Sequence, residues 1–502
     1  MKCAPSGANG AVFGRLLTQR MANYLPSVGM EVHAELATRS KMFCRCPVAF
    51  GGEPNTRVCP ICLGMPGTLP VPNKAAIEMV LKTALALNCK IAMTSIFHRK
   101  NYFYPDLPKG YQVSQYGDTN PLGYDGYLEI PNGSGGTKKV RIRRVHLEED
   151  TGKLMHLPSG GSGVDYNRAG TPLMEIVTEF PPDISNPTEA RDYLSQLRQI
   201  LIYLGVCDGK MEEGSLRCEP NISVRVEGAE KYGTKTELKN LNSFRSVQLG
   251  VAFEVRRQIA ELENGGKVLQ ETRGWNEQKE ASYIMRLKEE ENDYRYFPDP
   301  DLAPMVFEES MIEALRAGLP ELPMAKGLRY QSELGLSEYD TGVLIADRPW
   351  SEFFEQAVAL GGEPKTICNW MTGDFAKLLN EKSLAPGESK ITPQHIVDLT
   401  KLVESGSVSG KMAKELFAES FQDGRLPSEI AKSKGASQIS DVDEILAVVK
   451  KVLAENPEIV AKYKAGNTSV KGFLVGQIMK LSGGRANPGL AQKILGDELE
   501  NM

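Results

Sequence analysis

Cys44 and Cys46, twelve intervening residues, then Cys59 and Cys62 make two close pairs of thiols joined by a short loop. Two such pairs can close a tetrahedral zinc site, and four sulfur ligands would make it structural, not catalytic. Four thiols filling a core is the other reading. The chain has nine cysteines, an odd number, in 502 residues without a secretory signal. A disulfide framework is therefore not expected, and close cysteine spacings read as metal or packing.

A second set of residues is acidic. The stretch RRVHLEEDTGK, residues 143–153, places Glu148, Glu149 and Asp150 just behind His146. The two-residue period of a strand puts His146, Glu148 and Asp150 on one face and Glu149 on the other. Glu31 and His33 share a face in the same way. Further segments add Asp165, Asn167, Arg168 and Glu175, then Glu213, Arg217, Glu219 and Asn221, then Glu237, Lys239, Asn240 and Asn242. Hard oxygen ligands beside amides and cations are what a magnesium–phosphate site needs. Taken singly, each carboxylate reads more readily as a solvated strand end, and spacing alone does not decide. A regular strand cannot bring both Glu148 and Glu149 to one ion, so either the strand bends or one of them ligates. Glu149 is the favoured one, with Glu148 next.

Aromatic residues cluster at 99–116 (RKNYFYPDLPKGYQVSQY) and within 293–302 (DYRYFPDPDL). Their rings can stack on bases or adenine while polar neighbours orient the ligand, or simply fill core. Pro105 and Pro108 favour a loop there. No G-x-x-x-x-G-K-[ST] occurs, so a nucleotide would not be held by a P-loop. None of the five histidines stands in a Ser/His or Cys/His motif, which leaves nucleophilic hydrolysis unsupported.

These side chains need elements to hold them. YLEIPNGSGGTKKVRIRRVHLEED reads as a hairpin around a Gly-rich turn at 131–137. NPTEARDYLSQLRQILIYLG predicts a helix with Leu194, Leu197, Leu201 and Leu204 on one face and Gly205 at its end. SFRSVQLGVAFEVRRQIAELENGG repeats the pattern with Val247, Val251, Val255 and Ile259. Strands and helices without regular alternation predict an α+β fold. A chain this long exceeds one core, and the text turns helical after about residue 310. The expected division is a leader at 1–21, a cradle at 22–310, an all-α domain at 311–407 and a small helical tail at 408–502. The leader carries Lys2, Arg15 and Arg20 without an acid. It is expected to be dispensable on a cytoplasmic protein, with an organelle matrix as the alternative. No apolar run approaches the ~20 residues of a membrane span.

Read together, GMEVHAEL, EPNTRVCPICLGMPGTLPV, RKNYFYPDLPKGYQVSQY, HLEEDTGKL, VDYNRAGTPLMEIV, MEEGSLRCEPNISVR, TELKNLNSFRSV and DYRYFPDPDL resemble, in order, the blocks of one family: the B subunit of the aspartyl/glutamyl-tRNA amidotransferase. The likeness runs from about residue 24 to 500. It implies that ATP phosphorylates the side-chain carboxylate of misacylated Glu-tRNA(Gln) or Asp-tRNA(Asn), and that ammonia released from glutamine then forms the amide. It implies a cradle resembling the glutamine synthetase/guanido kinase fold, with ATP, Mg²⁺ and a structural Zn²⁺ on Cys44, Cys46, Cys59 and Cys62. The implied magnesium residues are Glu31, His33, Glu148, Glu149, Glu219 and Glu237, of which Glu149, Glu148, His33 and Glu31 are the expected catalytic set. ATP or the acceptor end would meet Tyr104, Lys109, Tyr111, Arg217, Asn221 and Lys239. Partners in a heterotrimer would be the amidase A subunit, the small C subunit, plus the tRNA as substrate. The family usually reads R-C-D-x-N where this chain has Arg217-Cys218-Glu219-Pro220-Asn221, so Glu219 carries one extra methylene.

Residues 461–493 hold Lys462, Lys464, Lys471, Lys480, Arg485 and Lys493 with no acid. Six unopposed charges can neutralise phosphates. With the resemblance, they are expected to grip the outer corner of the tRNA.

Overall fold

The computed structural model describes residues 24–116, 121–157, 160–287, 294–434, 442–464, 467–482, 486 and 488–501. The expected leader and Arg485 lie outside the described residues. The chain divides into two compact units, Met1–Leu322 and Pro323–Met502.

The first unit is α+β. Its strands are β1 (Tyr24–Glu35), β2 (Lys90–Ile91), β3 (Thr94–Ser95), β4 (His98–Asn101), β5 (Tyr111–Ser114), β6 (Gly123–Pro131), β7 (Thr137–Glu149) and β8 (Lys153–His156). They continue with β9 (Ser162–Asp165), β10 (Pro172–Thr178), β11 (Leu216–Val226), β12 (Thr236–Lys239), β13 (Glu271–Asn276), β14 (Ala281–Leu287), β15 (Phe297–Pro298) and β16 (Met305–Val306). The helices are α1 (Lys74–Ala86), α2 (Pro187–Tyr203), α3 (Phe244–Glu263) and α4 (Glu309–Ala317).

Nine strands form one sheet in the order β14-β13-β12-β11-β1-β10-β7-β6-β2. All its neighbours are antiparallel except β12 and β13, which α3 joins as a crossover, the connection that parallel strands require. The hairpin expected around 131–137 is β6 paired with β7. Helices α2 and α3 form as expected, capped by Asn186 and Ser243. Central β1 shows why the sheet has two characters. Val28, Met30, Val32 and Ala34 alternate with Glu31, His33 and Glu35, and the four apolar residues are at most 1% exposed. They share a core with Leu194, Leu197 and Leu201 of α2 and with Val247, Val251 and Val255 of α3. Burial of each of the larger side chains among them contributes roughly 1.5–3 kcal/mol. The helices thus cover one face and leave the polar row of β1 on the other. The close fit at the sheet margin depends on Gly126, where a Cβ would lie 2.6 Å from the Leu87 carbonyl oxygen.

The helical unit begins later than the sequence suggests. Helix α4 belongs to the first unit, because Ile312 joins the sheet core. The boundary expected at 407/408 also falls inside one core. Phe353, Phe375, Ile396 and Leu399 pack together with Leu416, Phe417 and Ile430. A separate core starts at Ile445 and runs through Val449, Leu474, Ile478 and Leu495 to Leu499. No described helix is long and apolar enough to cross a membrane.

Candidate active site

Strand pairing assembles the polar face. His33 on β1 lies directly opposite Arg217 on β11 and Glu175 on β10, and Glu175 lies opposite His146 on β7. One level along, Glu31 lies opposite Glu219. Side chains on these adjacent strands converge. His33 Nε2 is 3.4 Å from Glu175 Oε2, 3.7 Å from Glu31 Oε1 and 3.7 Å from Glu148 Oε1. His146 Nε2 is 3.4 Å from the same Glu175 oxygen and 3.9 Å from Glu148 Oε2. Arg144 Nη2 reaches Glu175 Oε1 at 3.4 Å, and the Ser114 hydroxyl donates to Glu148 at 3.2 Å. Glu31, His33 and Glu175 form one candidate metal-binding group, and His146, Glu148 and Glu175 form another.

The charges fit a cation. Burial first, then the like charge of Glu175, pushes the carboxyls of Glu31 and Glu148 up to about 7. Burial opposes the charged form of His33, but its hydrogen bond to Glu175 and the surrounding carboxylates raise it to about 9. Burial lowers His146 to about 4 and keeps it neutral. Glu175 stays ionised despite its burial, held well below the carboxylate range by the hydrogen bond and charge of His33 and by Arg144. His146 Nδ1 and Arg144 Nε are buried with no hydrogen-bond partner among the described residues. Crowded carboxylates that retain protons near neutrality form a cluster short of positive charge, which a divalent ion relieves. The ion binds the deprotonated groups, so its affinity should rise with pH. At about pH 6 Glu31, Glu148 and His33 each give up a proton to the ion, and at about pH 8 His33 alone does so. Mn²⁺ titrations followed by electron paramagnetic resonance should therefore show affinity climbing by much more than tenfold per unit at about pH 6 and by about tenfold per unit at about pH 8. A flat profile would contradict a shared ion at Glu31, Glu148 and His33.

Glu149 does not join this cluster. β7 stays paired with β10 through Leu173 opposite Glu148 and Pro172 opposite Glu149, with no irregularity there. The strict alternation therefore holds, and Glu148 is the member that faces His33. The Glu149 carboxylate accepts from Lys109 Nζ and, at 2.9 Å, from the Val113 amide. It lines a cavity of about 190 Å³ with Lys41, Cys44, Cys62, Lys109 and Tyr111.

The remaining expected residues fall in neighbouring groups. Lys239 Nζ binds Glu219 Oε2 at 2.5 Å and Glu237 Oε1 at 3.3 Å, so the longer Glu219 side chain ends on a lysine. Asn221 Nδ2 donates to the Glu219 carbonyl at 3.5 Å. Arg217 Nη2 meets Asp150 Oδ2 at 2.5 Å, with Arg168 Nε 3.5 Å from that oxygen. Burial, then the Asp150 charge, pushes the nearby Glu35 carboxyl up to about 8. Tyr104 is 55% exposed, and Tyr111 lies beneath the Arg99 guanidinium at 4.3 Å. The two aromatic segments meet because β15 pairs with β4. The Tyr116 ring lies tilted against Tyr296, with centroids 4.5 Å apart, and Tyr102 meets Tyr294 edge-on at 5.9 Å.

Three residues at this site lie outside the magnesium and catalytic sets that the resemblance implies. Glu175 is legible as an acid near glycine and proline, but its place between two histidines depends on β10 lying between β1 and β7. His146 is placed on the face of Glu148 by alternation, without a task. Lys100, within RKNYFY, has its ammonium 4.9 Å from the Tyr294 ring centroid and 6.0 Å from that of Tyr102. Burial works against its charge, but Glu148, Glu175 and the tyrosines hold it well above the usual lysine range.

The four cysteines also converge. Their sulfurs all lie within 4.8 Å of one another, and Cys59 Sγ is 3.9 Å from Cys62 Sγ. Tetrahedral zinc with bonds of about 2.3 Å requires sulfurs about 3.8 Å apart, so the set fits. The Cys59 amide also donates to Cys62 Sγ at 3.1 Å.

Residues 26–313 match the family model of the GatB/GatE catalytic domain, and residues 352–499 match that of the GatB domain. The sheet and its carboxylate–imidazole cluster are therefore the catalytic domain of a GatB/GatE-type protein. The B subunit of aspartyl/glutamyl-tRNA(Asn/Gln) amidotransferase from Thermodesulfovibrio yellowstonii is 51% identical over 472 residues, covering 94% of this chain and 98% of that one. The proteins of the same name from Moorella thermoacetica and Brevibacillus brevis are 50% and 49% identical over 479 and 483 residues, 95% and 96% of this chain and the whole of theirs. The chain belongs to the GatB/GatE family, that of the aspartyl/glutamyl-tRNA(Asn/Gln) amidotransferase B subunit.

Proposed function

We propose that the chain works as the B subunit of a tRNA-dependent amidotransferase, a carbon–nitrogen ligase serving translation, and that its sheet face carries out the ATP-dependent step. The observation behind this reading is the convergence of Glu31, His33, Glu148, Glu175 and His146 on adjacent strands. A carboxylate resists amidation because the departing group would be oxide. The side-chain carboxylate of the misacylated residue therefore attacks the γ-phosphorus of ATP, the bond to the bridging oxygen breaks, and ADP leaves. Ammonia then adds to the acyl phosphate, and phosphate departs as the amide forms.

Glu31, His33, Glu148 and Glu175 would hold magnesium, with Glu219 and Glu237 beside them. Magnesium, when bound, neutralises phosphate charge and aligns the reacting groups. Lys100 and Lys239 supply fixed positive charge next to the carboxylates, and Arg144 keeps Glu175 ionised and in place. The antiparallel sheet with one polar face suits a cradle of the glutamine synthetase/guanido kinase kind. The amidase and the small C protein would complete the enzyme, the amidase releasing ammonia from glutamine. ATP cleavage by the reconstituted heterotrimer, assayed with Glu-tRNA(Gln) and Asp-tRNA(Asn) separately, tests the reading. Cleavage that neither misacylated tRNA stimulates would sink it.

In the C-terminal core, Lys462, Lys464, Lys480 and Lys493 are exposed or nearly so, and Lys471 is half-buried. We assign this surface to tRNA phosphates. Replacing Lys462, Lys464, Lys480 and Lys493 by alanine should weaken tRNA binding and reduce its salt slope by up to about one for each phosphate no longer neutralised. Filter binding between about 50 and 200 mM salt would show an unchanged slope if other residues hold the phosphates.

A further inference from the structure

Lys41 is 1% exposed, yet among the described residues no carboxylate forms an ion pair with its ammonium. Nζ lies 3.7 Å from Cys62 Sγ and 3.2 Å from the Tyr166 carbonyl oxygen. The carbonyl carries no formal charge, and the sulfur carries one only as a thiolate. A buried ammonium left with neutral acceptors alone is strongly disfavoured. Its main chain fixes it against the cysteine loop, since the Lys41 amide donates to the Cys46 carbonyl at 3.0 Å. Behind it, the Asn73 side chain donates to the Lys41 carbonyl at 3.3 Å. Lysine at this place is therefore held by its backbone as well as by its stem.

Four thiolates around one divalent ion carry a net charge of minus two, which is costly to bury without nearby donors or cations. The missing counter-charge of Lys41 and the surplus charge of such a centre are adjacent. We propose that Lys41 is a positioning residue of the four-cysteine metal centre, donating from its ammonium to the Cys62 thiolate and offsetting half of the centre's net charge. This rests on reading the cysteines as a zinc site. Outer groups that hydrogen-bond to metal ligands commonly change metal affinity by about 10- to 100-fold when removed. Lys41 would act on Cys62 in that way without touching the ion.

The test uses the full chain in its complex, with zinc counted by elemental analysis and its release to a chromogenic chelator timed. Wild type should hold close to one zinc per chain. Lys41→Met should release it about tenfold faster or more, and in cobalt-substituted protein its thiolate-to-metal charge-transfer band should shift. Lys41→Arg, which keeps the charge, should release zinc more slowly than Lys41→Met. Lys41→Gln, which keeps a donor without the charge, should resemble Lys41→Met, and it carries the test if the methionine variant does not fold. Wild type without zinc would defeat the four-cysteine reading, and the inference with it. Wild type with zinc, but release and cobalt spectra unchanged in Lys41→Met and Lys41→Gln, would overturn the inference alone.

Discussion

Glu148→Gln is expected to lower misacylated-tRNA-dependent ATP cleavage by about 100- to 1,000-fold, the range for removing one preorganised electrostatic group from a reaction centre. The amide keeps the shape of the side chain and can still meet the Ser114 hydroxyl, which lies 3.2 Å away. It loses the charge that faces His33 at 3.7 Å and the anionic oxygen a divalent ion would take. Glu149→Gln is the informative partner. Its carboxylate points to Lys109 and the Val113 amide on the opposite face of β7, so that variant should keep ATP cleavage within about tenfold, far short of losing an electrostatic group at the centre. Steady-state ADP formation, measured on complexes of equal tRNA affinity, separates the two. A loss in Glu149→Gln as large as in Glu148→Gln would place Glu149 in the phosphoryl site after all.

Glu254→Ala should strongly destabilise the first unit, costing about 3–5 kcal/mol, as does removal of one partner from a buried ion pair. Glu254 is fully buried on α3. It accepts from Arg257 Nη2 at 2.6 Å and from Gln258 Nε2 at 3.0 Å, and it lies 3.7 Å from Arg273 Nε on β13. Gln258 also donates to the Ile222 carbonyl of β11 at 3.0 Å. The carboxylate thus ties the crossover helix to both strands that flank β12, which carries Glu237 and Lys239. Alanine would leave two guanidinium groups to share Glu271, which already binds Arg273 at 2.8 Å and Arg257 at 3.2 Å. The shift in urea midpoint reads the loss. A cost below about 1 kcal/mol would mean that Glu271 alone satisfies both arginines, as weakly coupled exposed pairs do.

Much of the cradle is legible in the sequence because its signals are local. The β6–β7 turn, the caps and apolar faces of α2 and α3, and the cysteine spacing each lie within a few dozen residues. Alternation along β7 also correctly separates Glu148 from Glu149. It cannot say which of them faces His33, because that is settled by the insertion of β10 between β1 and β7. The same long-range pairing sets Glu175 between two imidazoles. Domain limits fail for a related reason. The text offers a domain boundary at 407/408, yet Leu399 before it and Leu416 after it fill one core. Local composition marks where a chain turns; only packing marks where a core ends.

β1 is synthesised first among the sheet strands, yet its neighbours are β10 and β11. Glu31 lies opposite Glu219 and His33 opposite Glu175. At the usual pace of about 5–20 residues per second, the ribosome needs roughly ten seconds or more to deliver the second partner. Until β10 arrives β1 has two unsatisfied edges and an apolar face, and one edge stays open until β11 follows, a state open to misassociation. Such distant pairings also slow folding, because loop closure precedes any stabilising contact. The strand that centres the chemistry is thus the one whose nascent chain has most need of a chaperone.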